Sequence, residues 1–502
     1  MLLQRADLWA IMPGLLLSGA GLLAVCVDLP RRRVPSWLPA IVALLGPLGV
    51  LLWLAKHLSV GAPELVGFHG MIRFDALAVV ATLGIAAATA LVLAAAPTDA
   101  DRRRVATGEY YGLVGFAAGG MAWLASSNEL VTLFLSLEVL SICVYVLTGI
   151  TRKNPRSIEA ALKYLVTGAF ATGFLLMGIA LLYGTTGSLR LDEIAAGVAT
   201  SRSPLISVAF GFTLVGFLFK LGAVPFHMWV PDVYEGAPTS TTAFMSVAVK
   251  TAGLAALGRF LLTAGAARPE LWADLLWWCA VITMVVGNLV ALQQTRIKRM
   301  LAWSSVAHTG YALVAYATLV STDGQFSGAG VGAAMFYALS YTFMTLGAFY
   351  FLAYLGHEAG PAKEWQDADS LDDVAGIAWR RPWAALGFTI LLCSLGGMPP
   401  TVGFLGKLWV FGVAVEQGHV VIAVIGVLAA LVSWAYYLRV VVAMYMREPV
   451  ADDERPHAAL GWVVAVTVLA TLWLGAMPGG VTALVERIPT TTSADPKRVA
   501  AH

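Results

Sequence analysis

Charge is what this chain has least of. Of its 502 residues, 12% are Asp, Glu, Lys or Arg and 59% are hydrophobic. A soluble domain carries about 25% charged residues, so these numbers exclude an ordinary soluble fold and indicate a polytopic membrane protein. The formal net charge of +2 offers no basic surface to a nucleic acid. Cysteine is scarce as well. Cys26, Cys143, Cys279 and Cys393 each sit alone inside an apolar run. There is no CxxC and no Cys/His cluster, so neither a metal site nor an Fe–S cluster is expected. No glycine-rich phosphate loop falls between a strand and a helix, so no nucleotide site is expected either. No cofactor is therefore assigned to this chain. The N-terminus has no small-residue cleavage site, and its first apolar run is long enough to remain as an anchor.

What the chain does have is long apolar runs. A span needs about 20 apolar residues, and about fourteen such runs fit. The expected fold is an all-α polytopic membrane protein with short loops. Lys and Arg are sorted by loop. The odd-numbered loops carry Arg31, Arg32 and Arg33; Arg102, Arg103 and Arg104; Arg152, Lys153 and Arg156; Arg296, Lys298 and Arg299; and Lys363, Arg380 and Arg381. The even-numbered loops hold singles such as Lys56, Arg73, Arg190, Arg202 and Arg268. Basic loops stay in the cytoplasm, which puts both termini on the outer side.

Two stretches echo each other. Gly216-Phe217-Leu218-Phe219-Lys220-Leu221 and Gly403-Phe404-Leu405-Gly406-Lys407-Leu408 both read GFLxKL. Pro225 lies near the first, and Gly396, Gly397, Pro399 and Pro400 precede the second. They fall in the seventh and twelfth spans, and both spans are expected to be broken. An offset of five spans makes the fourth to eighth match the ninth to thirteenth. A repeat of odd span number must enter the membrane from opposite sides, so the two units are inverted, a pattern of secondary transporters. The divisions that follow are 1–100 for three flanking spans, 101–265 and 266–450 for the two repeats, and 451–502 for the last span and a short polar tail.

Ionisable groups inside spans are expensive and mark functional sites. Glu138 lies near the middle of the fifth span with nothing local to neutralise it. Lys220 is its natural partner: burial disfavours the ammonium form and a nearby carboxylate favours it, so a lysine between the two can load and release a proton. Gly222 and Pro225 loosen the helix beside it. Lys250, at the centre of the eighth span, is too deep to reach water easily. Lys407 reads as the repeat mate of Lys220 and as the end of the buried path. His308, about three turns into the tenth span, can pass protons near neutral pH. Lys163 stands about two turns into the sixth span, where relay and snorkelling to the cytoplasmic face are equal alternatives. The alternatives are a structural ion pair for Glu138, a purely structural lysine for Lys220 and Lys407, and a satisfied packing histidine for His308. The stretch from Val224 to Thr239 joins the seventh and eighth spans. Its prolines forbid continuous helix, Thr239 or Ser240 can cap the next helix, and His227, Asp232 and Glu235 could feed protons in from the cytoplasm or simply form a rigid interfacial turn. Aromatic residues elsewhere read as packing or lipid-facing.

With those residues laid out, the chain resembles the antiporter-like membrane subunits of respiratory complex I (NADH-quinone oxidoreductase), and among their branches most the subunit N branch. The carrying stretches are Ser136-Leu137-Glu138, Ala161-Leu162-Lys163-Tyr164, Lys220 to His227, Pro231-Asp232-Val233-Tyr234-Glu235-Gly236-Ala237-Pro238, Lys298 to Ser305, and Pro399-Pro400 to Lys407. The resemblance implies fourteen helices, two inverted five-helix repeats and proton transfer along a buried polar axis through Glu138, Lys220, Lys250 and Lys407. It implies neighbouring membrane subunits and lipid as partners, a bacterial inner membrane as location, and FMN, Fe–S clusters and quinone in partner subunits. A lysine at the twelfth helix is unlike subunit M, and a short C-terminus is unlike subunit L. His308 has no acidic counterpart to match Glu138, so the halves need not work alike. A subunit of a multisubunit cation/proton antiporter or of a membrane-bound hydrogenase is the alternative, and a non-transporting scaffold is the third reading.

Overall fold

The computed structural model describes residues 4–29, 37–61, 64–103, 105, 107–359, 364–449 and 458–489. Arg31, Arg32, Arg33, Arg104 and Lys363, used above for orientation, lie outside the described residues. In chain order the helices are α1 (Arg5–Asp28), α2 (Trp37–Ser59), α3 (Ala76–Arg103), α4 (Thr107–Ser126), α5 (Leu130–Thr148), α6 (Pro155–Thr186), α7 (Leu191–Thr200), α8 (Leu205–Leu221), α9 (Trp229–Gly236), α10 (Thr239–Phe244), α11 (Lys250–Thr263), α12 (Ala273–Gln293), α13 (Ile297–Ala317), α14 (Ala329–Tyr354), α15 (Ile377–Arg380), α16 (Pro382–Gly396), α17 (Val402–Glu416), α18 (Val420–Met446), α19 (Ala458–Ala476) and α20 (Gly479–Val485). Short antiparallel hairpins, Leu65–Gly67 with Ile72–Phe74 and His357–Ala359 with Glu364–Gln366, close two of the loops.

Among the described residues nine helices are long and apolar enough to cross a membrane, or ten if the bent pair at the C-terminal end is one span. The chain is an all-α multi-pass membrane protein. Two stretches expected as single spans fall short because they are broken: α8 and α16 are short apolar helices that stop at glycines. α13 falls short for another reason. It carries Lys298, Arg299, Ser304, Ser305 and His308 and is buried along almost its whole length, so its polar groups face protein rather than lipid.

Burial sorts the helices. α14 and the segment Thr239–Thr263 are almost wholly inside the bundle, whereas α1, α2, α6 and α18 keep wide apolar faces on its outside. Small residues allow the closest packing. Gly21 of α1 faces Gly112 and Gly115 of α4, where a Cβ on Gly115 would stand 2.8 Å from the Gly21 Cα. With no hydrophobic drive between helices in lipid, such close backbone approach supplies much of the attraction.

The two breaks share one device. α8 ends at Gly222 (φ 72°) and α16 at Gly397 (φ 91°), both left-handed. The N–H of Ala223 donates to Leu218 O at 2.9 Å, and that of Met398 donates to Cys393 O at 3.0 Å. These are matching glycine-terminated caps. Helix resumes at Trp229 in the first case and at Val402 in the second. Pro231 is tolerated in α9 because it lies in the first turn, whose N–H groups have no helical partner. Thr239 does not cap α10. It is the first helical residue, and its hydroxyl bonds to Asp367 instead.

Candidate functional site

Four of the expected pathway side chains lie sealed inside the bundle: Lys220 is 3% exposed, Lys250 5%, His308 3% and Lys407 5%. Lys220 stands in the last turn of α8. Its Nζ donates to Ser141 Oγ of α5 at 2.8 Å and lies 5.6 and 5.5 Å from the ring centres of Tyr145 and Tyr164. Glu138, on α5, is half-buried, and its Oε1 accepts from Thr172 Oγ1 of α6 at 3.0 Å. Among the described residues no ion pair joins Glu138 to Lys220. Instead, a cavity of about 10 Å³, lined by Ser141, Tyr145, Thr172 and Lys220 among others, lies between their partners. That is room for about one water with polar neighbours on several sides.

The centre of the bundle repeats the arrangement. A π-helical turn, Met245–Val249, interrupts the segment just before Lys250, and such turns often occur at functional sites. Lys250 Nζ donates to the carbonyl of Ser305 and, at 2.6 Å, to its Oγ. One helical turn further along α13, His308 Nδ1 shares a 2.6 Å hydrogen bond with Tyr337 OH. His308 Nε2 lies 3.4 Å from Tyr437 OH, which also meets Ser304 Oγ. A second cavity of about 10 Å³ joins Lys250, Thr309, His308, Tyr337 and Tyr341. The tyrosines expected to be packing residues thus form the lining of the polar interior. Their regular place inside apolar runs hid them; a tyrosine hydroxyl buried at mid-span was the signal to weigh.

Lys407 stands apart from Lys220 in its placement. Its Nζ donates to Leu395 O at 2.7 Å and Gly396 O at 3.0 Å, the open carbonyl end of α16. A cation there also meets the negative end of the helix dipole. It lies 5.0 Å from the ring centre of Tyr311, whose OH accepts from Asn288 Nδ2 at 2.9 Å. Lys220 comes before its glycine break and Lys407 after its own, so the two hexamers sit on opposite sides of matching breaks. Equivalence of the two lysines, read from the shared hexamer, does not hold in the fold.

Buried ammonium, imidazole and hydroxyl groups of this kind are chemically able to exchange protons. Among the described residues no group of three or more His, Cys, Asp or Glu could hold a metal ion. Residues 127–433, more than half of the chain, match the family described as "NADH:quinone oxidoreductase/Mrp antiporter, TM". The chain belongs to that family. It is 40% identical over 482 residues to NADH-quinone oxidoreductase subunit N of Trichlorobacter lovleyi, covering 95% of this chain and 96% of the relative. With NADH-quinone oxidoreductase subunit N 1 of Herpetosiphon aurantiacus it shares 41% identity, covering 85% and 86%. A chain of Thermus thermophilus respiratory complex I matches with a TM-score of 0.77 at 34% identity, over 94% of this chain and 98% of that one. A chain of the Dietzia sp. Mrp complex matches with a TM-score of 0.82 at 20% identity, over 96% of each, which shows a common fold.

The remaining candidates of this antiporter-like subunit do not join the buried groups. Lys163 is 45% exposed, and its Nζ pairs with Glu159 Oε1 at 2.8 Å and Asp232 Oδ2 at 2.9 Å. Arg299 Nη1 bonds to Asp232 Oδ1 at 2.9 Å and to Glu235 Oε2 at 2.6 Å. Arg296 bonds to Glu235 and lies 3.6 Å from Asp369. Asp369 Oδ1 in turn accepts the N–H of Lys298 at 3.0 Å. This network ties α6, α9, α13 and the loop after the strand Glu364–Gln366 together at one end of the bundle. Asp232 and Glu235 are committed to cationic partners within it, which fits the rigid turn better than a proton feed. His227 lies in the break, its ring edge-on to Trp303 at 5.3 Å between centres. A further buried pair was not anticipated. Arg259, 3% exposed, holds Asp75 through two hydrogen bonds of 2.8 Å and also donates to Ala125 O at 3.1 Å.

Proposed function

We propose that this chain is a proton-translocating membrane subunit of an NADH:quinone oxidoreductase in a bacterial inner membrane. In this reading NADH, FMN, Fe–S and quinone chemistry lies in partner subunits, and neighbouring membrane subunits flank the chain. Fourteen spans are proposed, with α8/α9 and α16/α17 as broken ones, arranged as two inverted five-helix units with both termini outside. The matching glycine caps at Gly222 and Gly397 support the repeat.

One observation carries the proposal. Three buried lysines, Lys220, Lys250 and Lys407, are hydrogen-bonded to hydroxyls and carbonyls, and among the described residues none of them makes an ion pair with a carboxylate. An uncompensated buried charge is costly, and a charge brought near one end shifts the balance between a lysine's protonated and neutral forms. Ser141, Ser305, His308, Tyr337 and Tyr437 supply hydroxyl and imidazole steps between them, and the two water-sized cavities fill gaps where side chains do not touch. Glu138, half-buried at the edge, is the group through which a neighbouring subunit would act. Lys407, at the far end, is where the path would leave. The test is proton uptake during NADH oxidation in membrane vesicles whose complex carries Lys250→Met. Loss of pumping with assembly intact supports the axis; unchanged pumping overturns it.

The fold likeness to the Mrp chain favours a second reading, a subunit of a cation/proton antiporter complex. Purification of the tagged chain distinguishes the two. Co-purifying flavin and Fe–S spectra with NADH:quinone activity support the first. Sodium-dependent proton exchange without those signals supports the second.

A further inference from the structure

Asn288 is an amide set inside the apolar run of α12, and it is 1% exposed. A buried amide is tolerated when its hydrogen bonds are made, and both polar atoms of this one are used. Its Nδ2 donates to Met284 O at 2.8 Å and to Tyr311 OH of α13 at 2.9 Å, and its Oδ1 accepts from Tyr436 OH of α18 at 3.0 Å. Met284 O can only accept, which fixes the nitrogen end of the amide. Both N–H groups are then spent, one of them on Tyr311. Two glycines set the spacing, Gly287 beside Asn288 and Gly310 beside Tyr311. A Cβ on Gly287 would stand 2.6 Å from Ala307 N, and one on Gly310 would stand 2.6 Å from Met284 N. The backbones of α12 and α13 therefore approach closely enough for the amide to meet the phenol.

Tyr311 gives this amide its reach. The Tyr311 ring centre lies 5.0 Å from Lys407 Nζ and 5.5 Å from the imidazole centre of His308, edge-on at 88°. Among the described residues no hydrogen bond joins His308 to Lys407, and Tyr311 packs against both. An ammonium within about 6 Å of an aromatic ring centre is stabilised by the ring face. Lys407 otherwise bonds to the carbonyls of Leu395 and Gly396. The titratable groups around it are His308 and Tyr311 of α13, Tyr337 of α14, which meets α17 at Gly406, and Tyr436 and Tyr437 of α18 behind Tyr311. Neither α16 nor α19 carries an acidic or basic residue, and Arg439 of α18 is spent on Leu292 O and Gln294 O at the end of α12. Resting on the proton-path reading, we propose that Asn288 is a positioning residue for the last step of that path. By holding the Tyr311 hydroxyl it keeps the ring against the Lys407 ammonium, and so sets how firmly Lys407 keeps the proton it receives.

The experiment uses vesicles carrying the whole complex. Asn288→Leu removes the amide at similar volume, and Tyr311→Phe keeps the ring and removes only the hydroxyl that the amide holds. A released ring leaves Lys407 holding its proton less well, so the loss of pumping should be greatest on the alkaline side, where protons are scarcest. NADH-driven dye quenching is followed at mildly acid and mildly alkaline pH, scaled to NADH oxidation and to subunit content by blotting. Each variant should pump about tenfold less than the parent at alkaline pH, the order of one desolvated cation–π contact, and nearly as well as the parent at acid pH. The double variant should lose no more than either single one, because both act through one bond. A loss that is the same at both pH values, losses that multiply in the double variant, or parental pumping throughout each overturns the proposal. If Asn288→Leu fails to assemble, the pH profile of Tyr311→Phe decides in the same way. Lys250→Met, run in parallel, separates the two readings. Parental pumping by Lys250→Met removes the path itself, whereas its loss beside parental profiles in the other variants removes only the role of Asn288.

Discussion

An ammonium group hydrogen-bonded to a hydroxyl, with no carboxylate in direct contact, is held only loosely by negative charge. Lys220 is in that position. Ser141 Oγ accepts from it at 2.8 Å and itself donates to the backbone carbonyl of Leu137. Lys220→Met keeps the volume and removes the titrating nitrogen. Proton pumping by the assembled complex should fall by on the order of 100-fold, the usual weight of a positioned proton-transfer group. Ser141→Ala leaves the lysine but removes its acceptor. A hydrogen bond to a charged group is worth about 1.5–3 kcal/mol, so pumping should fall by roughly tenfold or more while the complex still assembles. Dye-quenching in NADH-energised vesicles reads both, with subunit content measured by blotting. If Ser141→Ala pumps normally, the Ser141 hydroxyl is not a step on the path. At the centre of the bundle His308 makes a related prediction. His308→Phe keeps the ring among Tyr311, Tyr337 and Tyr341 but ends the bonds to Tyr337 and Tyr437. Pumping should be lost with little change in thermal stability; full pumping in that variant would remove the imidazole from the path.

The broken helices show how an element can be legible while its register is not. Gly222 and Gly397 adopt left-handed backbone at the ends of α8 and α16, and only glycine takes that conformation without a penalty of about 1–2 kcal/mol. A Cβ on Gly222 would also stand 2.6 Å from Val230 Cγ2, and one on Gly397 would stand 3.1 Å from Lys407 Cδ. Gly222→Ala should therefore lower the thermal midpoint of the purified protein by strain against α9. Gly397→Ala should lower it less, because the lysine chain can shift, yet impair pumping more. The reverse order would show that the lysine position is not critical. The apolar runs and the Gly/Pro interruptions were enough to place these helices and their breaks, because both are local properties of the chain. The echo of GFLxKL misled for the same reason. It matched six residues but ignored that Lys220 precedes its glycine and Lys407 follows its own, a difference fixed by how α17 folds back on the end of α16. Tyr337 and Tyr437 were read as packing, since nothing local tells a packed hydroxyl from one aimed at a buried imidazole. Lys163, Asp232 and Glu235 were legible as charged, but Arg299, the partner of Asp232 and Glu235, stands more than sixty residues further along the chain, as Asp232 does from Lys163.

At the scale of the whole molecule, one segment, Thr239–Thr263, threads the centre of the bundle and is pinned at both ends. At its start the network of Lys163, Asp232, Arg299, Glu235 and Arg296 holds α9 against α6 and α13. Near its far end Arg259 grips Asp75 at the foot of α3 and the last turn of α4. Lys250 and the π-helical turn lie between the pins. The two pins should not be equally strong. Arg299 and its acidic partners are each about a fifth to a third exposed, so solvent screens them and each pair is worth about 0–1 kcal/mol. Arg259 is sealed, and removing one partner of such a pair costs about 3–5 kcal/mol, reduced here by what Arg73, 3.7 Å from Asp75, still offsets. Arg259→Met should therefore depress the thermal midpoint far more than Arg299→Ala does. The double variant Arg259→Met with Asp75→Asn should recover much of the loss, since it leaves no stranded charge. Thermal aggregation midpoints of the four proteins in one detergent make the comparison. Failure of Asp75→Asn to rescue would mean that Arg259 acts through Ala125 and its packing, and that the far end of the central segment is held by shape rather than by charge.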